Sequence, residues 1–251
     1  MRKLVAALAC RTGSTRLYAK PAQFLDVEYT VTLLGHLIRL LQSESAIGEV
    51  VLGVAEGSSN EVFHEIARSE NIVSIRGSEA DVLKRLIHCG EAVGGTDIFR
   101  VTTESPFIYF DPISKAWEHH VSNNNDATVT DCLPEGTHFE IFTLEALNRS
   151  WAAGGMASEF CNRYICTNPS EFKIEVIPVP EHLLRMDIRL TVDYPEDLVL
   201  CRRVYEHLKS YAPRIPLAEI IEFLDARPDL GALVEPYLTN TNVYGGQSGR
   251  K

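Results

Sequence analysis

The chain has 251 residues and a formal net charge of −10, length enough for one large α/β domain or one domain with an appendage. Hydrophobic residues make up 45% and charged residues 23%, which suits a globular protein with a real core; the acidity argues against nucleic acid or an anionic membrane as the main partner. No apolar stretch approaches the roughly 18 residues that span a bilayer, and a strand that starts at residue 3 or 4 leaves no room for a signal peptide, so a cytoplasmic location is expected.

That first strand is the apolar run Leu4 to Leu8, and it feeds the segment Cys10-Arg11-Thr12-Gly13-Ser14-Thr15-Arg16-Leu17-Tyr18-Ala19-Lys20-Pro21. A glycine and three hydroxyl residues between Arg11 and Arg16 make a loop that offers free backbone N–H groups. Arg11, Arg16 and Lys20 add fixed positive charge, and together these are the parts of a polyphosphate cradle. Residues 1 to 25 hold five cations, Arg2, Lys3, Arg11, Arg16 and Lys20, and no acid. An even spread of the basic residues would put roughly two there.

Val31, Leu33, Leu34, Leu37, Ile38, Leu40 and Leu41 repeat at the period of an amphipathic helix. Glu49 to Val54 is a short apolar strand, and Ser59 or Asn60 is placed to cap the next helix. Ile72 to Ile75 is a third strand, after which Gly77-Ser78 leads into a helix with Val82, Leu83, Leu86 and Ile87 on its buried side. Asp97 to Thr102 is a fourth strand; it ends in Thr103-Glu104-Ser105-Pro106, and Asp111-Pro112 opens a further helix with proline at its first position. Such alternation gives a doubly wound, mainly parallel sheet with helices on both faces, whose ligands bind beyond the carboxyl ends of the strands. The loop at 9–20 and the turn at 103–106 both lie at such ends and can converge on one site.

The rhythm breaks between about 127 and 191. That segment mixes strand-like stretches (127–130, 139–142, 173–177) with a helix near 157–167, and reads as an inserted α+β subdomain of the kind that binds a second substrate or a partner subunit. Arg189 to Asp193 reads as a final core strand. Pro195-Glu196-Asp197 opens a long helix through Leu208, two short helices fill 216–237 on either side of Arg227-Pro228, and 239–251 is a polar, Gly-rich tail expected to be mobile.

A polyphosphate beside a cationic loop normally needs a divalent metal, Mg²⁺, and the metal needs carboxylates. Asp193 and Glu104 both sit at strand ends where they could meet it; the plainer alternatives are a helix N-cap for Asp193 and a solvated turn residue for Glu104. The six cysteines are scattered with no C-x-x-C pair, as in a reduced cytoplasmic protein, and His119-His120 lacks spaced partners for a metal.

The loop resembles the R-x-G-S-T-R-L-x-x-K motif of the cytidylyltransferase-like family, in particular its spore-coat polysaccharide biosynthesis group, which is similar to the sialic-acid and 3-deoxy-octulosonate cytidylyltransferases. Three more segments carry the resemblance: Gly77-Ser78-Glu79-Ala80-Asp81-Val82-Leu83, Pro134-Glu135-Gly136 with Glu140-Ile141-Phe142, and Leu190-Thr191-Val192-Asp193-Tyr194-Pro195-Glu196-Asp197-Leu198. Ile220 through Leu230 also looks like the family's closing helices, so the likeness runs over almost the whole chain. It implies a sheet of nucleotide-diphospho-sugar transferase type. It divides the chain into a nucleotidyltransferase domain at 1–210, with 127–191 as its acceptor or dimerisation insert, and C-terminal helices and tail at 211–251.

The activity implied is transfer of a nucleoside monophosphate, usually CMP from CTP, to a sugar or small acid or phosphate acceptor, with release of pyrophosphate, in surface polysaccharide or related biosynthesis. Carried over by position, Arg11, Arg16 and Lys20 would be catalytic, and Gly13, Ser14 and Thr15 would hold the triphosphate. Arg76, Gly77 and Ser78 would lie near the base or ribose, Asp193 and Glu104 would hold Mg²⁺, and Glu140, Glu159 and Arg163 would meet the acceptor. A homodimer is the family expectation.

Some positions depart from the family's pattern. Where it has G-D-x-P-L-I-D, this chain has Thr103-Glu104-Ser105-Pro106-Phe107-Ile108-Tyr109, so one acid is a methylene longer and the second is a phenol. Tyr18 replaces a common proline, and Ser158 to Ile165 differs from R-E-H-V-T-P-Y-I. Two other readings remain open: a nucleotide-sugar-dependent glycosyltransferase, and a nucleotide-binding protein that has lost turnover.

Overall fold

The first strand, β1 (Leu4–Cys10), sends Val5 and Ala7 to one face and Leu4, Ala6 and Leu8 to the other, all five buried, as a central parallel strand must. The computed structural model describes residues 2–155 and 161–239. In it the sheet grows outward from β1 on both sides. On one side lie β4 (Glu49–Ala55) and β5 (Val73–Gly77), both parallel; on the other lies β6 (Asp97–Arg100), also parallel. Beyond β6 come β8 (Glu140–Thr143), antiparallel, then β7 (Ala127–Val129) and β9 (Ile174–Val176), giving the order β5-β4-β1-β6-β8-β7-β9.

Val5, Ala7, Val51 and Ile98 meet α3 (Val82–Ala92) and α5 (Leu144–Ala152) on one face. Leu4, Ala6 and Leu8 meet α1 (Leu33–Gln42), α2 (Glu61–Ser69) and α4 (Ile113–Ser122) on the other. Burying such side chains is worth about 1.5–3 kcal/mol each before entropy is counted. A third apolar cluster joins α7 (Pro195–Leu208), α8 (Leu217–Asp225) and α9 (Pro228–Val234) to Leu33, Phe107 and a small hairpin, β2 (Phe24–Asp26) and β3 (Val31–Thr32). The C-terminal helices therefore share a core with the first 33 residues. Among the described residues no helix is long and apolar enough to cross a membrane.

Most expected elements are present: the doubly wound, mainly parallel sheet, the long helix beginning at Pro195, and the pair of short helices split at Pro228. The segment 127–191 is α+β as expected, and its three strands extend the main sheet. Two local readings are corrected and one element is new. Residues 189–193 form no strand. Leu190 N donates to Glu135 O and Val192 N to Glu104 O, so the partner changes within two residues and only an isolated bridge at Arg189 results. Pro112 occupies the N-cap of α4, one place before the first helical position. The hairpin was not read from the sequence; its turn is held by Asp26 Oδ1, which accepts from the backbone N–H groups of Glu28 and Tyr29. From residue 240 onward the C-terminal tail lies outside the described residues.

Candidate active site

The cationic loop leaves the carboxyl end of β1 and is fixed at two points. Ala19, in the left-handed region at φ 47°, donates its N–H to Thr12 O at 3.0 Å and closes the loop on itself. Thr12 is buried, and its N–H and hydroxyl both donate to Asn60 Oδ1, at 2.7 and 3.0 Å; Asn60 Nδ2 in turn holds Glu56 O. Asn60 sits at the start of α2 as expected, but its side chain ties the loop down and does not cap the helix.

Beneath the loop, Arg85 of α3 is buried, and its Nη1 donates to Cys10 O at the end of β1 and to Gly53 O of β4. Gly77 makes room for it: a Cβ there would lie 2.7 Å from Arg85 Cγ. Ser78 is followed by Glu79, which pairs with Arg11 at 3.6 Å and borders Gly13. The strand end at 76–78 thus adjoins the loop. Arg76 itself is turned to Glu61 of α2, at 2.5 Å, with both side chains about half exposed.

Arg16 and Lys20 converge on one carboxylate. Arg16 Nη2 reaches Asp193 Oδ1 at 2.9 Å, and Lys20 Nζ donates to the same oxygen. The second oxygen of Asp193 accepts from Arg189 Nη2 at 2.9 Å. Burial alone would raise the Asp193 pKa; the hydrogen bond and charge of Lys20, with Arg16 and Arg189, hold it below the usual carboxylate range. Arg189 is buried and also grips Asp197 through Nε at 2.8 Å and Glu135 through Nη1 at 2.5 Å. Asp197 Oδ2 accepts from the N–H groups of Asp193 and Tyr194 at 2.8 and 2.9 Å, which sets the bend entering α7. The 135–136 turn packs so closely on this bend that a Cβ on Gly136 (φ 90°) would meet Thr191 N at 2.6 Å.

Glu104 joins the same place through its backbone, since Val192 N donates to Glu104 O at 3.0 Å, and its neighbour Thr103 donates to Ala9 O at the end of β1. Loop, turn and bend meet as the sequence implied. The donor set there is hard oxygen; among the described residues no group of three or more His, Cys, Asp and Glu could hold a metal by itself. A divalent ion at Asp193 and Glu104 would therefore complete its shell from a bound ligand and water, the common Mg²⁺ arrangement.

Of the residues expected at the acceptor, one is committed to partners inside the fold. Glu140 is buried on β8 opposite Arg100 of β6; its two oxygens accept from Arg100 Nη1 at 2.8 Å and Asn162 Nδ2 at 2.5 Å. Arg163 is exposed at the start of α6 (Arg163–Thr167), and Glu159 lies outside the described residues. Tyr109, the phenol in place of a second acid, is buried in the third apolar cluster, which pushes its pKa up; a carboxylate there would be desolvated.

Sequence reasoning assigned Asn60, Arg85, Arg189 and Asp197 no role at the site. Arg85 carried one signal, a charge on the apolar stripe of its helix. Arg189 and Asp197 flank Asp193 four residues on either side, a spacing that has meaning only once the bend is known.

A family model described as cytidylyltransferase matches residues 5–220. The uncharacterized protein MJ1063 of Methanocaldococcus jannaschii is 29% identical over 230 residues, 91% of this chain and 93% of that protein. The spore coat polysaccharide biosynthesis protein SpsF of Bacillus subtilis is 24% identical over 237 residues, 91% of this chain and 97% of that protein. Among solved structures, a cytidylyltransferase from Leptospira borgpetersenii superposes with a TM-score of 0.83 at 21% identity, over 96% of this chain and 98% of that one. With the family's model covering the whole sheet and the bend at Asp193, the chain belongs to the cytidylyltransferase family.

Proposed function

We propose that this protein transfers CMP from CTP to a sugar or small acid or phosphate acceptor, releasing pyrophosphate, in the synthesis of a surface polysaccharide. The observation that carries the reading is the meeting of Arg16 and Lys20 on Asp193 at the mouth of the crevice. Family membership supports CTP as donor, and the name of the Bacillus subtilis relative supports the pathway.

In this reading the triphosphate draws Arg16 and Lys20 from the Asp193 carboxylate. Arg11 and the backbone N–H groups of Gly13, Ser14 and Thr15 hold its outer phosphates. Lys20, only 12% exposed, stands where water screens it least, and its ammonium offsets the charge that grows on the α-phosphoryl oxygens and on departing pyrophosphate. Arg16 holds the leaving side. Asp193, ionised and freed of two cations, would hold Mg²⁺ with Glu104 beside it, and the ion would neutralise and orient triphosphate oxygens. Arg189 stays on Asp197 and Glu135 throughout and keeps the Asp193 carboxylate aimed at the loop.

The test is a thermal-shift panel with CTP, GTP, UTP, ATP and dTTP, each with and without Mg²⁺, followed by a pyrophosphate-release screen of acceptors. A ligand at 100 times its Kd adds about 2.7 kcal/mol to folding stability, easily seen. A CTP-selective shift that grows with Mg²⁺ and a released pyrophosphate support the proposal. No shift with any triphosphate overturns it, and binding without release from any acceptor leaves a nucleotide-binding protein without turnover.

A further inference from the structure

Of the three cations around Asp193, Arg16 is the most exposed: its side chain is 46% accessible, against 12% for Lys20 and 2% for Arg189. A half-exposed arginine on a loop ordinarily samples many rotamers, and its fork gains from being held flat before the ligand arrives. Here its guanidinium carbon lies 5.2 Å from the centroid of the Tyr194 ring. That ring is itself stacked on Tyr237, centroids 4.0 Å apart and planes 14° from parallel.

Tyr237 comes from the far end of the chain. It closes the short turn Glu235–Tyr237 that follows α9, and α9 is seated by Leu230 and Val234 in the cluster shared with α7. Tyr194 is the residue immediately before α7, with its backbone N–H held by Asp197. The packing of α9 on α7 thus brings the C-terminal turn against the bend that carries Asp193. The proposed reaction gives Tyr237 no task.

We infer that Tyr237 is a positioning residue for the triphosphate site: it holds the Tyr194 ring as the platform on which Arg16 lies. This rests on the reading of Arg16 as a triphosphate ligand. A cation on an exposed aromatic face contributes modestly, so loss of the platform weakens CTP binding about three- to five-fold.

The experiment is calorimetric titration of CTP with Mg²⁺ into the wild type, Y237F, Y237L, R16A and the R16A/Y237L double variant, each first melted to establish folding. Y237F keeps the stacked ring and loses only the phenol oxygen, so it binds CTP within two-fold of wild type. Y237L binds three- to five-fold more weakly, and in the R16A background it has no further effect, because its role acts through Arg16. If Y237L is unfolded, Y237N replaces it, since the position is part-exposed and tolerates a polar side chain. The inference is overturned if the leucine variant binds like wild type, if phenylalanine loses as much as leucine, or if the loss is undiminished in the R16A background. A wild type that binds no triphosphate overturns the site reading itself, a result no Tyr237 variant could produce.

Discussion

The cradle loop and the half of the molecule built on β6, β8 and the bend at 189–197 are both rich in charge, but they spend it differently. On the loop, Arg11, Arg16 and Lys20 hold partners at the surface of a crevice, with Arg11 and Arg16 side chains more than 40% exposed. Behind it, Arg189 with Asp197, Glu140 with Arg100 and Asn162, and Asp97 with Arg2 and His120 are contacts in which the acid itself is buried. Exposed pairs exchange readily with an incoming anion, because water already competes for them. Buried pairs cannot exchange without leaving a desolvated charge. In the proposed reading the difference separates residues that meet ligand from residues that hold those residues in place, and it moves Glu140 from the first group to the second.

The comparison is broken most forcefully at Arg189. Arg189→Met strands Asp197 and Glu135, and we expect a loss of about 3–5 kcal/mol in urea denaturation, whatever its effect on turnover. A variant as stable as wild type but inactive would place Arg189 with the ligand-binding residues.

A pH experiment is next in size. His36, buried between Phe107 and Tyr205, has its pKa lowered to about 4 by burial, with the nearby Arg39 charge adding to the shift. The unfolded chain takes up this proton near pH 6.5 and the native state only near 4, so stability falls as pH drops across that window. The full cost is roughly 3 kcal/mol. His36→Leu removes that part of the slope; unfolding curves at pH 7.5 and 4.5 that keep the wild-type difference would assign the slope elsewhere.

On the loop the expected loss is in rate. Lys20→Ala reduces kcat by about two orders of magnitude or more, near 2.7 kcal/mol of barrier, with a melting temperature close to wild type. A drop in melting temperature with kcat unchanged would make Lys20 a structural residue. The smallest effect belongs to Arg76. Its exposed pair with Glu61 is worth about 0.2–1 kcal/mol, and Arg76→Ala leaves CTP affinity within two-fold if the base lies away from it. A larger loss of affinity would return Arg76 to the nucleotide.

The cationic loop was legible in the sequence because its information is local: Arg11, Arg16 and Lys20 lie within ten residues, after an apolar run that could only be a buried strand. The helix opening at Pro195 was legible for the same reason. What escaped depends on contacts between distant segments. Asn60 looks like any helix-start asparagine until Thr12 is seen beside it. Arg189 to Asp193 carries the apolar alternation of a strand, yet its backbone partners change from Glu135 to Glu104 midway, and no pattern along the chain encodes that. Glu140 sits in a recognisable motif, but its orientation is set by register, which pairs it with Arg100.

The stack of Tyr194 on Tyr237 has a practical side. Leu238 and Thr239 follow directly on Tyr237, so this stretch of chain lies beside the bend that carries Asp193. Shortening the chain ahead of Tyr237 would take the stacked partner from Tyr194, and a trimmed form meant for binding assays keeps the chain through residue 239.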